Sequence, residues 1–418
     1  PVAMAHDDSA FVPPLVSVLA LFVILLARVY GPRATALLSG PATGILLILL
    51  VVVLWTASSV AIQLVFETAH FRKPFFLTYA SACLMVVYLP FYPDRVRDLL
   101  ALALEQLPVL SRMPLPQRLS PRRARYSQLG AAQQAESAAS GSSIFRKRRK
   151  AAAEAAEPLE VPLGTSESLQ VALRMGTLWF LLNLTFNVGL QLSSVSSVTI
   201  ISASSSLWTL VVAALRERKR PSLGRVVAVL LTFGGVLLVM LVGTKRRHAD
   251  TGMRLWGDGA ALVSAVTYGL YAVQLRAEVR SEAVLPMPLL FGLIGLACAL
   301  LLWPWLLILH MAGLELFGWP SRTAALAIVA NALVGTVLSN MLLARAMLLA
   351  SPLLATVGLS LAIPLAMLSD VVRERITHFS PPLVLGSLAV WAGFLALGAS
   401  DWLESRRAAR ATAVAAAS

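Results

Sequence analysis

The chain has 418 residues, 58% of them hydrophobic and only 13% charged, with a formal net charge of +14. Soluble domains carry about 25% charged residues, so the composition excludes a water-soluble fold. The excess Lys and Arg lie almost wholly between apolar stretches, where they set topology, and nucleic-acid binding is not expected.

Taken in chain order, apolar stretches at 12–30, 42–66, 74–92, 169–190, 195–215, 222–243, 255–277, 286–310, 322–344, 350–372 and 381–403 each predict a helix. Their lengths suit a bilayer crossing, which takes about 20 apolar residues. Only helices satisfy every backbone N–H and C=O inside lipid without a closed barrel. The expected fold is therefore all-α and polytopic. The first stretch follows Asp7 and Asp8 and ends at Arg28, the reverse of a signal peptide's polarity, so it is expected as an extra N-terminal anchor helix. The chain opens on Pro1 rather than Met, which leaves its native start open. The remaining ten stretches are called spans one to ten.

Between spans two and three, residues 93–168 hold twelve Lys/Arg and eight Asp/Glu and close on Arg146-Lys147-Arg148-Arg149-Lys150. Too few bulky apolar residues are present to offset chain entropy, and most of this loop is expected to be disordered. Its basic run reads as a solvated topology signal or as a lure for anionic lipid. With the segment before span one in the cytosol, that side carries 26 of the 35 Lys/Arg, so both ends of the ten-span unit face the cytosol.

An internal repeat organises these spans. Shifted by 157 residues, Trp179–Arg218 lies on Thr336–Arg375 without a gap and with eight identities. They include Asn183/Asn340, Thr199/Thr356 and Arg216-Glu217-Arg218 on Arg373-Glu374-Arg375. After one inserted residue Gly235 lies on Gly393 and Ala228 on Gly386; a second register, of 211, pairs Gln63 with Gln274 and Glu67 with Glu278. Five spans per copy is an odd number, so the second copy enters from the opposite side. The expected architecture is a ten-helix bundle of two inverted five-helix repeats, the plan of secondary transporters. The expected parts are an N-terminal tail and anchor (1–41), a first repeat (42–243), a second repeat (244–403) and a cytosolic tail (404–418).

Polar residues inside such a bundle are expensive and mark candidate sites. On span three, Asn183, Asn187 and Gln191 recur every fourth residue and form one amide stripe. Amides donate and accept, which suits hydroxyls, phosphates or heterocycles; they equally suit hydrogen bonds between helices. Span four lines one face with Ser202, Ser205, Ser206 and Thr209, and close helix packing competes with a binding role. Asn340 and Thr356 are the repeat mates of Asn183 and Thr199. Gln63 and Gln274 complete the candidate substrate-binding set with Tyr268 and Tyr271, which stack on a ring or simply pack. Asp370 is the carboxylate best placed for proton coupling, and Arg345 is expected to snorkel to the surface. Cys83 and Cys298 lie in apolar stretches and the five histidines are scattered, so no disulfide, metal or cofactor is expected.

Several segments resemble the drug/metabolite transporter superfamily, which is EamA-like. They are Trp55-Thr56-Ala57-Ser58-Ser59, Lys73-Pro74-Phe75-Phe76, Trp179-Phe180-Leu181-Leu182-Asn183-Leu184, Gly234-Gly235-Val236, Gly335-Thr336-Val337-Leu338-Ser339 and Ser360-Leu361-Ala362-Ile363-Pro364-Leu365. Within the superfamily the chain looks most like solute carrier 35 subfamily F and the thiamine-repressible transporter-like proteins, over roughly 42–403. The resemblance implies a central cavity, alternating access and an organic metabolite as substrate. The expected partners are a small-molecule substrate and the lipid bilayer; a homodimer is compatible with them. Localisation is expected in an endomembrane, Golgi or vacuole. The rival reading is a non-transporting scaffold or receptor that uses the basic loop. No enzyme motif stands in the spans.

Overall fold

A computed structural model describes residues 40–69, 73–105, 162–193, 195–218, 220–243, 251–316, 318, 322–365 and 381–417. Side chains of 57–69 are not described, and the expected anchor helix 12–30 lies outside the described residues. The described residues are helical, without a strand.

Helix stands on every one of the ten spans. Span one is α1 (Pro41–Ala69). Span two is α2 (Pro74–Leu84) continued by a 3₁₀ stretch, Met85–Phe91. Then α3 (Pro93–Glu105) opens the long loop, and α4 (Thr165–Leu192) is span three. Span four breaks at Ser204 into α5 (Val195–Ala203) and α6 (Ser205–Glu217). Next come α7 (Leu223–Gly243) and α8 (Thr251–Glu278). Span seven bends by 41° between α9 (Met287–Leu301) and α10 (Trp303–Met311). Span eight runs through α11 (Arg322–Asn331), a π-helical stretch Ala332–Leu338 and α12 (Ser339–Leu349). Span nine begins as α13 (Pro352–Leu359), and α14 (Pro381–Ala417) carries span ten well beyond its expected end.

Local chemistry accounts for these breaks. Proline opens α2, α9, α10 and α13, where its missing N–H is an orphan anyway. Pro304 therefore starts a new helix and bends span seven. Ser204 turns its hydroxyl onto the Ile201 carbonyl (2.5 Å), a bond that competes with the helical ladder. Ser351 caps α13 by accepting from Leu354 N (3.0 Å). The N-terminus of α2 is closed from afar: the Glu315 carboxylate accepts from the N–H groups of Phe75 and Phe76 at 3.0 and 2.8 Å.

Among the described residues, five helices are long and apolar enough to cross a membrane, and six if the bent pair is one span. Leu46, Val227, Leu388 and Leu395 stay more than half exposed while the core buries Trp179, Tyr88, Phe291 and Ile48. Helices that are apolar on both the inner and the outer face belong in lipid, and the protein is an integral, multi-pass membrane protein.

The expectation for 93–168 needs one correction. Pro93–Glu105 is an amphipathic helix, with Val96 and Leu99 packed against the core. Asp98 and Arg95 meet the Thr165 hydroxyl at 3.1 and 3.4 Å. Its charged residues mask a helical period, which the loop's composition hid. Residues 106–161 lie outside the described residues.

Packing follows the sequence register. Helix α7 lies along α14 with backbones almost in contact: a Cβ at Gly235 would sit 2.7 Å from the Gly386 carbonyl oxygen, and one at Gly393 2.8 Å from that of Ala228. Gly386 is the mate of Ala228, and Gly393 the mate of Gly235. The interface is thus reciprocal, as contacts across a two-fold axis are. Two further close approaches use mated positions on one side only. Gly257 of α8 meets Ser193, and Gly44 of α1 meets Ala350, each at 2.8 Å between Cβ positions. Ser193 and Ala350 are mates at the 157-residue register.

Candidate functional site

Spans three and eight carry the two matched asparagines, and each makes the same local bond. Asn183 Nδ2 donates to the Trp179 carbonyl and Asn340 Nδ2 to the Thr336 carbonyl, both at 2.8 Å. Trp179 and Thr336 are themselves mates. The copies are then joined directly, because Trp179 Nε1 donates to Asn340 Oδ1 at 3.2 Å. One turn along α4, Asn187 Nδ2 donates to Thr78 Oγ1 of α2 at 2.9 Å. Thr78 in turn donates to the Pro74 carbonyl and is buried.

Further hydrogen bonds reach span eight close to Asn340 in the chain. Trp55 Nε1 of α1 donates to Ser339 Oγ at 2.7 Å, and Tyr88 OH donates to the Val337 carbonyl at 2.9 Å. Both acceptors lie in or just after the π-helical stretch of span eight. Such stretches displace the regular ladder and recur at functional positions. On α8 the rings of Tyr268 and Tyr271 stand 6.4 Å apart at 56°. The Tyr268 hydroxyl and the Ser202 hydroxyl are buried and have no hydrogen-bond partner. Unpaired buried hydroxyls are costly in a native fold and mark places where a ligand or water can complete the bonding.

The other candidates divide. Thr209 and Thr356 turn their hydroxyls onto carbonyls of their own helices at 2.8 and 2.9 Å, and Ser206 turns its hydroxyl back onto the Ala203 carbonyl of α5 at 3.0 Å; all three are buried, which suits packing. Ser205 is half-buried, and its carbonyl receives the Thr209 bond. Gln191 is exposed in the last turn of α4. The Gln63 side chain and Asp370 lie outside the described residues.

Gln274 stands apart from the asparagines, in a charged cluster at one end of the bundle. It accepts from Arg216 Nη1 at 2.7 Å and donates to Glu278 Oε1 at 2.6 Å. Glu278 also takes a two-pronged ion pair from Arg174, with a closest approach of 2.7 Å. At the same end Arg276 donates to the carbonyls of Met347 and Ala350, capping the C-terminus of α12. Arg225 pairs with Asp401 at 3.0 Å and Glu404 at 2.8 Å, and Asp401 also accepts from Ser351 Oγ. Arg345 does not snorkel: it is 3% exposed and faces Glu282 at 3.4 Å.

Sequence reasoning missed Trp55, Thr78, Trp179 and Asp258. The Asp258 carboxylate accepts from Ser193 Oγ at 2.5 Å and Ser197 Oγ at 2.8 Å, holding the turn between spans three and four against α8. A signal for Trp179 was present, since it precedes Asn183 by one helical turn.

Sequence comparison bears on this arrangement. The profile of the EamA-like transporter family matches residues 156–241, which take in spans three and four and nearly all of span five. The uncharacterized transporter C405.03c of Schizosaccharomyces pombe is 32% identical over 85% of this chain and 94% of its own length. This chain belongs to the EamA-like transporters, on the solute carrier 35 subfamily F side. The uncharacterized vacuolar membrane protein YML018C of Saccharomyces cerevisiae is 31% identical to this EamA-like transporter, over 83% of this chain and 89% of its own. Mouse solute carrier family 35 member F5 is 30% identical over 84% and 76%, respectively. A solved crystal structure at 17% identity shares the fold, with a TM-score of 0.53 over 88% of this chain and 98% of that one.

Proposed function

We propose that this transporter carries a small polar organic metabolite, nucleotide-sugar-like or vitamin-like, across an endomembrane by alternating access. The site lies near the midplane, between spans three and four of one repeat and eight and nine of the other. The observation that carries this reading is the shared geometry of Asn183 and Asn340. Equivalent amides on the two copies, joined through Trp179, support a site whose two walls exchange conformations. Asn187, Tyr268, Tyr271 and Ser202 add groups that grip a neutral polar or ring-bearing cargo.

With ten crossings, the charge bias of the loops puts the C-terminus in the cytosol. The cluster of Arg174, Arg216, Gln274 and Glu278 then stands at the cytosolic end. Opening that end requires Arg174 and Arg216 on spans three and four to part from Gln274 and Glu278 on span six. The vacuolar membrane relative supports an endomembrane location.

The test is uptake into proteoliposomes, with cargo chosen by thermal-shift screening against nucleotide sugars, thiamine-like cations and amino acids. Asn183→Leu should abolish uptake while the protein still folds. Unchanged uptake would remove Asn183 from the site.

A further inference from the structure

At the end of α6 a groove of about 390 Å³ opens on the outer surface of the bundle. Its wall is apolar, made by Leu210, Val211, Ala214 and Leu215, and its rim is basic, made by Arg218 and Arg220. The four wall residues are spaced i, i+1, i+4 and i+5 and so form one stripe along the helix. The helix belongs to a membrane span, Ser197–Glu217, and Leu215 and Val211 are 74% and 46% exposed. They therefore face hydrocarbon.

The rim is built by the helix ending. Arg218 has φ 51 and closes α6 in the left-handed conformation, and the chain turns so that Arg220 lines the same groove. Both arginines are exposed, and no ion pair is formed by either among the described residues. Glu217 does not line the groove. Arg216 is spoken for by Gln274. Two guanidinium groups above an apolar stripe, at the level where a span leaves the bilayer, match one chemistry: a phosphodiester joined to an acyl chain.

We propose that this groove binds one anionic phospholipid of the leaflet that it faces, phosphate on Arg218 and Arg220, acyl chain along Leu210–Leu215. A choline headgroup would set a cation beside the arginines, so the site discriminates by charge. The lipid also braces the turn whose first arginine belongs to the Arg216–Gln274 contact, so occupancy stiffens that end of span four.

The test uses the full chain purified in a non-ionic detergent. Native mass spectrometry reads its affinity for phosphatidylglycerol and for phosphatidylcholine of the same acyl chains. Wild type should retain one phosphatidylglycerol in preference to phosphatidylcholine. Each guanidinium near an anionic headgroup contributes roughly fivefold, so Arg218→Gln with Arg220→Gln should weaken retention by about 25-fold. Arg218→Lys with Arg220→Lys should keep most of it, and Leu215→Asn should weaken it with the charge intact. A melting curve in lipid-free detergent checks that the variants fold. If the glutamine pair fails to fold, the lipid preference of wild type and the Leu215→Asn variant still decide. Equal retention of the two lipids overturns the proposal, as does unchanged affinity in the glutamine pair. Displacement of phosphatidylglycerol by inorganic phosphate alone would also overturn it. So would a second copy of the chain cross-linking across Leu215, with lipid retention unaffected by the arginine variants.

Discussion

Trp179 Nε1 donates to Asn340 Oδ1 at 3.2 Å, and this bond joins two residues 161 positions apart in the chain. Its donor side chain stands one turn before Asn183, and its acceptor is the repeat mate of Asn183. The contact ties the amide of one copy to the helix that carries the amide of the other. Trp179→Phe keeps the ring and removes only the donor. Hydrogen bonds between membrane helices contribute about 0.6–1 kcal/mol, so the melting temperature should fall slightly. Initial uptake rates in proteoliposomes should fall much more than stability does. An equal loss of both would make the bond purely structural.

The glycine interface between α7 and α14 provides a test with its own control. A Cβ at Gly393 would lie 2.1 Å from Thr232 Oγ1, and one at Gly235 2.7 Å from the Gly386 oxygen, whereas Gly234 has nothing within 4 Å. Gly393→Val and Gly235→Val should destabilise by about 2 kcal/mol or more through overpacking. Gly234→Val should be close to neutral. Thermal melts of the purified protein separate the three.

Arg174 and Glu278 meet in a two-pronged ion pair at one end of the bundle. Glu278→Arg should destabilise that end by placing two cations face to face. The exchange Arg174→Glu with Glu278→Arg should restore it. Labelling of a cysteine at Gln274 reads the opening: faster in the single variant, slow again in the exchange. Uniform labelling in all three would deny the cluster any part in closing that end.

Deletion of residues 106–161, replaced by a short Gly/Ser linker, should leave uptake intact, as expected of a transporter rather than a loop-dependent scaffold. Extending the deletion back to residue 93 should lower the melting temperature, because Val96 and Leu99 of α3 pack on the core. If the first deletion abolished uptake while the protein stayed folded, the loop would belong to the machinery.

The inverted arrangement proposed for the two copies has a topological consequence. Lys219 and Thr377 occupy equivalent turns of the two copies in sequence. Cysteines placed there should react with a membrane-impermeant reagent from opposite sides. Labelling of both from one compartment would dismantle the two-copy reading.

By itself the sequence determined an all-helical, multi-pass membrane fold, since a run of apolar side chains is a local property and lipid demands helix of it. It also displayed a repeat register, in which Asn183/Asn340 and Gly235/Gly393 are visible as matched letters. It did not tell apart the surroundings of Asn183 and Gln274. Both are amides on apolar helices, and only packing decided that one bonds the Trp179 carbonyl and the other joins an ion cluster. Nor did it tell a hydroxyl on offer from one already used. Thr209 and Ser202 share a face of span four by sequence spacing, yet Thr209 bonds the backbone of α6 and the Ser202 hydroxyl, on α5, is left unpaired. Helical periodicity fixes which side chains share a face. Which neighbour stands opposite that face, and how far away, is settled by contacts hundreds of residues apart, and these exist only once the bundle has closed.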